Sequence, residues 1–154
     1  MLIREMQMTD RENLEKFYRE MDPEANVLFN PENCNYIRTM AFFEGKKQNI
    51  RYFIAMEEDE MLGYVFLTQY DTLIPSLGIA VASSVKGKGI GYALMQYAEE
   101  YAAAHGKGGL TLITHVANIR GQALYAKCGF DRVGIHGPTG QIFYIKRFKD
   151  PDYR

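Results

Sequence analysis

The sequence predicts a mixed α+β sandwich, in which one twisted sheet carries helices on both faces. Short apolar runs of strand length alternate with segments whose apolar residues recur at helical spacing, in the order β-α-α-β-β-β-α-β-α-β-β. A glycine-rich turn over residues 87–91 joins one strand directly to a helix. The chain has 154 residues, which is enough to bury a substantial core, so we expect a single domain over residues 1–154.

The first half of the chain is predicted to contain a strand, two helices and a β-hairpin. Thr9 and Glu12 match a capping box at the start of the first helix, which Pro23 ends. A loop then runs to Pro31, and the hairpin turns through the acidic residues 57–60. The predicted elements are a strand over residues 2–6, a helix with Leu14, Phe17 and Tyr18 on its apolar face, a helix over residues 32–43, and strands over residues 50–56 and 61–69.

The second half is predicted to alternate strands and helices and to end in a β-hairpin. The helix after the glycine-rich turn has apolar residues at positions i, i+4, i+7, i+8 and i+11 and ends at Gly106. Asn118 is a suitable N-cap for the next helix, and Gly129 is a suitable C′ residue. The predicted elements are strands over residues 76–81, 110–114, 130–135 and 141–147, and helices from Ile90 and over residues 119–128.

Composition and charge exclude several classes of function. No apolar run approaches the roughly 18 residues of a membrane span, and the N-terminal residues lack a secretory signal. A net charge of −1 gives no case for binding nucleic acid or an anionic membrane. Cys34 and Cys128 form neither a disulfide framework nor a metal-binding spacing. We therefore expect a cytoplasmic protein with reduced thiols and no metal site.

The turn at residues 86–91 has the features of a diphosphate-binding site. The first N–H groups of the following helix and the positive end of its dipole point at the turn, and glycine lets a phosphate approach the backbone closely. A P-loop needs Lys followed by Ser or Thr, but Gly89 follows Lys88. A Rossmann fingerprint fails as well, because Tyr92 and Ala93 follow Gly91 without a third glycine in step.

Two segments instead resemble the GNAT superfamily of acetyl-CoA-dependent N-acetyltransferases. The first is the cofactor loop, for which the family pattern is Gln/Arg-x-x-Gly-x-Gly/Ala. The second is a strand followed by an Asn, a helix with Leu-Tyr and a terminal Gly-Phe, which correspond here to Asn118, Leu124-Tyr125 and Gly129-Phe130. The loop reads Lys86-Gly87-Lys88-Gly89-Ile90-Gly91, so its first position keeps the positive charge but loses the planar guanidinium. The resemblance extends from about Met61 to the C-terminus.

The resemblance implies where the cofactor binds. In GNAT domains the fourth and fifth strands splay apart, and the pantetheine arm of acetyl-CoA completes the ladder in the gap. It implies that the backbone of the fourth strand and Asn118 bind this arm, and that the amides from Val85 to Gly91 bind the diphosphate. The cofactor-binding residues expected on this basis are Ile79, Ala80, Val81, Val85, Lys86, Gly87, Lys88, Gly89, Ile90, Gly91, Asn118 and Tyr125.

The resemblance also implies the chemistry. Tyr125 occupies the position of a tyrosine that commonly donates a proton to the leaving thiolate, although it could also only pack against the cofactor. The fourth strand lacks the carboxylate that many members carry. Asp71, with Tyr70, or His115 could act as the base, or the amine could arrive neutral. The acceptor site is expected between the first-half helices and the loops at residues 70–75 and 135–141.

The function expected is direct transfer of an acetyl group from acetyl-CoA to a primary amine of a small molecule or peptide. The missing carboxylate leaves open a noncatalytic acyl-CoA-binding regulatory domain, and an unrelated phosphate-binding or interaction domain would leave the Asn118–Tyr125 segment unexplained. A homodimer is expected from the family, with the C-terminal strand at residues 141–148 as an edge through which it could form.

Overall fold

The computed structural model describes residues 1–149 and contains one mixed sheet with helices on both faces. Its strands are β1 (Leu2–Glu5), β2 (Ile50–Glu57), β3 (Glu60–Thr68), β4 (Ser76–Val81), β5 (Gly109–Thr114), β6 (Asp131–Ile135) and β7 (Ile142–Arg147). Its helices are α1 (Arg11–Arg19), α2 (Pro23–Phe29), α3 (Cys34–Phe43), α4 (Ile90–Ala104) and α5 (Ile119–Lys127). The seven strands follow the order β1-β2-β3-β4-β5-β7-β6, and only the β4–β5 pair is parallel. The predicted α+β sandwich is confirmed.

Both faces of the sheet are covered by apolar side chains, which explains the nearly continuous apolar runs of β2 and β3. Alternate residues of β2 point to opposite faces: Phe53 packs on the side of α4, and Ile54 packs on the side of α1 and α3. The α4 and α5 side also contains Leu94 and Leu110, whereas the other side contains Leu14 and Tyr64. The sheet is therefore the middle layer of three.

The start of α1 differs from the predicted capping box of Thr9 and Glu12. The Asp10 carboxylate instead accepts a hydrogen bond from the Gln7 N–H at 2.7 Å and two from the Arg4 guanidinium at 2.8 Å each. These charge-assisted bonds are stronger than those of a threonine hydroxyl. Burial would raise the pKa of Asp10, but the bonds from Arg4 and Gln7 outweigh it and hold that pKa below its usual value.

The segment predicted as a loop after Pro23 is the helix α2. Pro23 begins this helix instead of only ending the previous one, because its missing N–H and fixed φ suit the first helical position. The helix α3 begins at Cys34 rather than at residue 32. Its N-cap residue is Asn33, but the buried Asn30 supplies the side-chain acceptor, because the Asn30 Oδ1 accepts from the N–H groups of Asn35 at 2.8 Å and Tyr36 at 2.9 Å.

The expectation that the C-terminal strand lies at a sheet edge is wrong. The strand β7 pairs with β5 on one side and with β6 on the other, so β6 is the edge. Ile142 and Tyr144 of β7 are buried, whereas every residue of β6 is exposed, and burial of the more apolar strand explains the order. The dimer stays a prediction without this support. No helix among residues 1–149 is long and apolar enough to cross a membrane.

Candidate functional site

The strands β4 and β5 diverge and leave a gap in the sheet, as the family resemblance implies. They share a single register pair, Ser76 with Thr111, and the Thr111 N–H donates to the Pro75 carbonyl at 2.9 Å. On its other side β4 is fully paired with β3. The Ala82 N–H donates to the Leu62 carbonyl of β3 at 2.8 Å. Because N–H directions alternate along a strand, the N–H groups of Ile79 and Val81 point into the gap.

A cleft of about 1030 Å³ runs through this gap and under α2 and α3. That volume lies at the upper limit of what small-molecule sites occupy, about 1,000 Å³. Of the predicted cofactor residues, Lys88 does not line the cleft. The others that the sequence predicts all line it: Ile79, Ala80, Val81, Val85, Lys86, Gly87, Gly89, Ile90, Gly91, Asn118 and Tyr125.

The loop before α4 depends on two glycines in the left-handed region. Gly87 has a φ of +84° and Gly89 a φ of +83°, values that residues with a Cβ rarely adopt. Two N–H groups of the loop are used to close it, because Val85 donates to the Ala82 carbonyl at 3.1 Å and Lys88 donates to the Val85 carbonyl at 3.3 Å. These two amides are therefore less available to an anion than the sequence suggests.

The remaining amides lie at the N-terminus of α4. The first intrahelical hydrogen bond runs from the Ala93 N–H to the Gly89 carbonyl at 3.1 Å, so the first-turn N–H groups of Ile90 and Gly91 need an outside acceptor. Gly91 also allows α4 to approach α5, because a Cβ there would lie 3.1 Å from the Leu124 side chain. The helix dipole adds positive potential, and the site suits a phosphate.

Arg120 is a cleft residue that the sequence reasoning missed. It lies in the first turn of α5, lines the cleft, and places its Nη1 3.8 Å from where a Cβ of Gly87 would be. Its position two residues after the Asn118 cap could have indicated a side chain facing the loop. Lys127, also on α5, lies over the Tyr92 ring at 4.6 Å from its centre, and both line the cleft. The two cations and Lys86 make the loop end of the cleft basic.

Tyr125 is buried in the wall of the cleft. Its ring packs edge-to-face against Phe130 at 6.4 Å and against Tyr144 at 5.7 Å, measured between ring centres. Burial raises the pKa of the Tyr125 phenol, and the neighbouring Thr114 hydroxyl opposes part of that rise. The phenol is therefore protonated throughout the neutral range.

Asn118 connects the cap of α5 to Thr114. Its Oδ1 accepts from the Gly121 N–H at 3.0 Å, which orients the amide so that Nδ2 donates to the Thr114 Oγ1 at 2.9 Å. Thr114 is itself buried. Because its oxygen accepts from Asn118, its own proton is free to point to the Tyr125 oxygen. The sequence indicated Asn118 and Tyr125 but not the threonine between them.

The two predicted base candidates occupy different surroundings. Asp71 does not line the cleft, and its carboxylate accepts a hydrogen bond from the Asn49 side chain. His115 lines the cleft, but its Nδ1 accepts from the Ala117 N–H at 3.0 Å. Since a backbone N–H can only donate, the neutral imidazole carries its proton on Nε2, and its basic nitrogen is already occupied.

The half of the cleft where the acceptor is expected, called the acceptor half below, is lined by residues of α2 and α3, and the loop at residues 135–141 adds Thr139 and Gln141. The loop at residues 70–75 does not contribute to the cleft. Three charged side chains that the sequence reasoning did not single out line this half: Asp22, Glu24 and Arg38. The cleft thus has a basic end at the loop before α4, a gap bordered by unpaired strand amides, and an end over α2 and α3 with both charges.

Residues 9–130 match the model of the Acetyltransferase (GNAT) family, and the chain belongs to that family. This membership confirms the predicted family, and the family's description as acetyltransferases agrees with the predicted enzyme class and cosubstrate.

Solved structures have the same fold. The GNAT domain of S. lividans PAT superimposes with a TM-score of 0.81 at 14% identity, covering 95% of this chain and 89% of that one. The PaiA N-acetyltransferase of Thermoplasma acidophilum, in complex with coenzyme A, gives a TM-score of 0.78 at 20% identity, covering 96% and 98%.

One similar curated protein is the streptothricin acetyltransferase of Escherichia coli, which is 32% identical over 82 residues. The match covers 53% of this chain and 47% of the relative, so it spans about half of each protein.

Proposed function

We propose that the protein transfers the acetyl group of acetyl-CoA directly to a primary amine of a small molecule or peptide. The observation that carries the proposal is the gap between β4 and β5, which opens beside the N-terminus of α4. An extended pantetheine arm would find the unpaired N–H groups of Ile79 and Val81 along the gap. Its diphosphate would meet Gly87, Gly89 and the first turn of α4.

The Val81 N–H is the proposed donor to the oxyanion. When an amine attacks the thioester carbonyl, negative charge develops on the carbonyl oxygen, and a fixed N–H directed at it lowers the barrier. The neighbouring Ala82 N–H already donates to β3, and the same pairing holds the strand rigid. The donor therefore needs no rearrangement during the reaction.

Tyr125 is the proposed proton donor to the leaving thiolate. The phenol is protonated because burial raises its pKa, and it lines the cleft next to the gap. Asn118 donates its amide N–H to Thr114, whose hydroxyl would then be directed to the phenol oxygen. This leaves the proton of Tyr125 free to point into the cleft. The Asn118 side chain already donates through Nδ2 to Thr114 and accepts through Oδ1 from Gly121. It would therefore bind the cofactor through groups that these two bonds leave free.

No strong base is needed if the amine reaches the thioester in its neutral form. The Asp71 carboxylate lies outside the cleft, and the basic nitrogen of His115 is occupied. Asp22 and Glu24 line the acceptor half and are exposed, so they can attract an ammonium group and accept its proton through water.

The test is release of coenzyme A thiol from acetyl-CoA in the presence of a panel of primary amines, with the acetylated products identified by mass spectrometry. Amines with aliphatic, aromatic, peptide and polyamine bodies should be included, because the matched relative is named for streptothricin and shares only part of the chain. Amine-dependent thiol release with a matching N-acetyl product is expected. Tight acetyl-CoA binding without transfer to any amine would instead support the acyl-CoA-binding regulatory domain.

A further inference from the structure

In the acceptor half of the cleft the positive charge of Arg38 lies apart from the negative charges of Asp22 and Glu24. Arg38 lies on the face of α3 that also presents Cys34 and Asn35 to the cleft. Its Nη1 donates to the Asn35 Oδ1 at 3.3 Å, and its side chain is exposed. Among residues 1–149, no carboxylate forms an ion pair with it. An arginine held by a neutral amide at the wall of a cleft is available to an anionic ligand.

The backbone of Arg38 is anchored above the central strands. Its carbonyl accepts from the Gln48 Nε2 at 2.8 Å and from the Tyr52 hydroxyl at 3.4 Å. Burial raises the pKa of Tyr52 to about 12, and the charge of Arg38 opposes this rise. The hydrogen bonds place the Arg38 backbone over the part of the sheet to which Tyr52 belongs, and the effect on the pKa of Tyr52 agrees with a guanidinium nearby.

The ladder pairing shows which end of the cleft this is. Tyr52 of β2 pairs with Phe66 of β3, and Phe66 pairs with Gly78 of β4. Two residues further along β4, away from the cofactor loop, lies Ser76. The strand β4 runs from Ser76 to the cofactor loop. With a rise of about 3.3 Å per residue, Ser76 lies roughly 13 Å from Ala80 and Gly78 roughly 7 Å from it. Arg38 is therefore at the end of the cleft away from the loop.

The two carboxylates lie at the opposite end of the acceptor half. The Asp22 N–H donates to the Ser83 Oγ at 3.3 Å, which fixes the start of α2 beside the turn that follows Val81. Glu24 lies one residue beyond Pro23 in the first turn of the same helix, and it lines the cleft with Asp22. An ammonium group is thus attracted toward the proposed acetyl position, where its nitrogen must react.

The wall between the two charged ends is apolar. Leu28 and Phe29 of α2 and Phe66 of β3 line it, and the Phe29 and Phe66 rings pack edge-to-face at 6.2 Å between ring centres. Gly78 allows this arrangement, because a Cβ there would overlap the Phe66 ring. The wall suits the aliphatic or aromatic body of a substrate and offers no charged partner in its middle.

We propose that the acceptor is an amine that also carries a carboxylate several bonds away, an ω-amino carboxylate or a short peptide, and that Arg38 binds the carboxylate. The proposal rests on the proposed amine acetylation and deepens it. Arg38 determines specificity through binding, since it touches the substrate far from the reacting atoms. Its planar guanidinium matches a carboxylate with two parallel hydrogen bonds, so glutamine is expected to abolish the preference and lysine to keep part of it.

The test compares ω-amino carboxylates of increasing chain length with their primary amides, which keep the amine and the chain but remove the charge. For the wild type, kcat/KM should favour the carboxylates by roughly ten- to a hundredfold at the best length, mostly through KM. Arg38→Gln should erase this preference, because it removes the charge that distinguishes the acids from the amides. Arg132→Gln removes a charge from the exposed edge strand β6 and should leave the preference intact. Glu24→Gln should raise KM for carboxylates and amides alike.

Two results would overturn the assignment: a wild type that treats acids and amides equally, or a preference that survives Arg38→Gln. If no amine is acetylated, the proposed function fails. Calorimetric titration of the amino carboxylate into the protein with coenzyme A bound then still decides the role of Arg38. Binding that is lost in Arg38→Gln and kept in Arg132→Gln supports the assignment, and absence of binding to the wild type contradicts it.

Discussion

Gly89→Ala is expected to weaken acetyl-CoA binding beyond what it costs in stability, and Gly106→Ala provides the matched control. Gly89 has a φ of +83° and Gly106 a φ of +81°, and a Cβ at either position would meet no atom within 4 Å. The two glycines border opposite ends of α4, and only Gly89 lines the cleft. The two substitutions therefore impose the same backbone strain, and only one places a methyl group where a phosphate would approach.

The magnitudes follow from this symmetry. An alanine in the left-handed region costs about 1–2 kcal/mol, so each variant should lose roughly 2–8 °C in Tm. The added methyl group and the altered loop at Gly89 should weaken acetyl-CoA binding by about tenfold or more, which is about 1.4 kcal/mol. Scanning calorimetry measures the stability and titration calorimetry measures the Kd. Equal Kd values for the wild type and both variants, with folded proteins, would refute the phosphate cradle.

Three further results are expected. Tyr125→Phe should lower kcat by roughly 10²–10³ with acetyl-CoA affinity little changed, and Thr114→Val should lower kcat less; full turnover of the phenylalanine variant on its best acceptor would end the proton-donor role. The pH profile of kcat/KM should rise as the amine deprotonates and should not fall again up to about pH 10, because burial raises the pKa of Tyr125; a falling limb that disappears in Tyr125→Phe would contradict this. Asp10→Asn should cost about 1–3 kcal/mol at neutral pH by breaking the bond to Arg4. Since the pKa of Asp10 is lowered in the fold, this difference should be present above pH ~4 and shrink as pH falls through the folded pKa; a difference in urea unfolding that does not depend on pH would be evidence against the ion pair.

Local patterns in the sequence were sufficient to predict most of the residues that line the loop end of the cleft. The left-handed glycines and the α4 N-terminus adjoin one another in the chain, and so do the Asn118 cap and Tyr125 within α5. Their chemistry follows from turn geometry and helix ends, which depend on a few neighbouring residues. The diverging strands were inferred from the family resemblance and agree with the single β4–β5 register pair.

The acceptor end could not be predicted in the same way. Arg38 and Glu24 lie on different helices, and both reach the cleft because those helices pack over one face of the sheet. The helix α2 was missed because Pro23 was interpreted as a terminator rather than as a first helical residue. The place of β7 between β5 and β6 depends on the competition of two strands for burial, which no local pattern encodes.

Amide hydrogen exchange, followed by NMR with and without acetyl-CoA, tests the place of the cofactor most directly. The N–H groups of Ile79 and Val81 point into the gap, whereas those of Gly78 and Ala80 are paired with β3. Acetyl-CoA should therefore slow exchange at Ile79 and Val81 and leave Gly78 and Ala80 nearly unchanged. Saturating acetyl-CoA that protects none of the gap-facing amides of β4 would contradict binding of the acyl donor between the diverging strands.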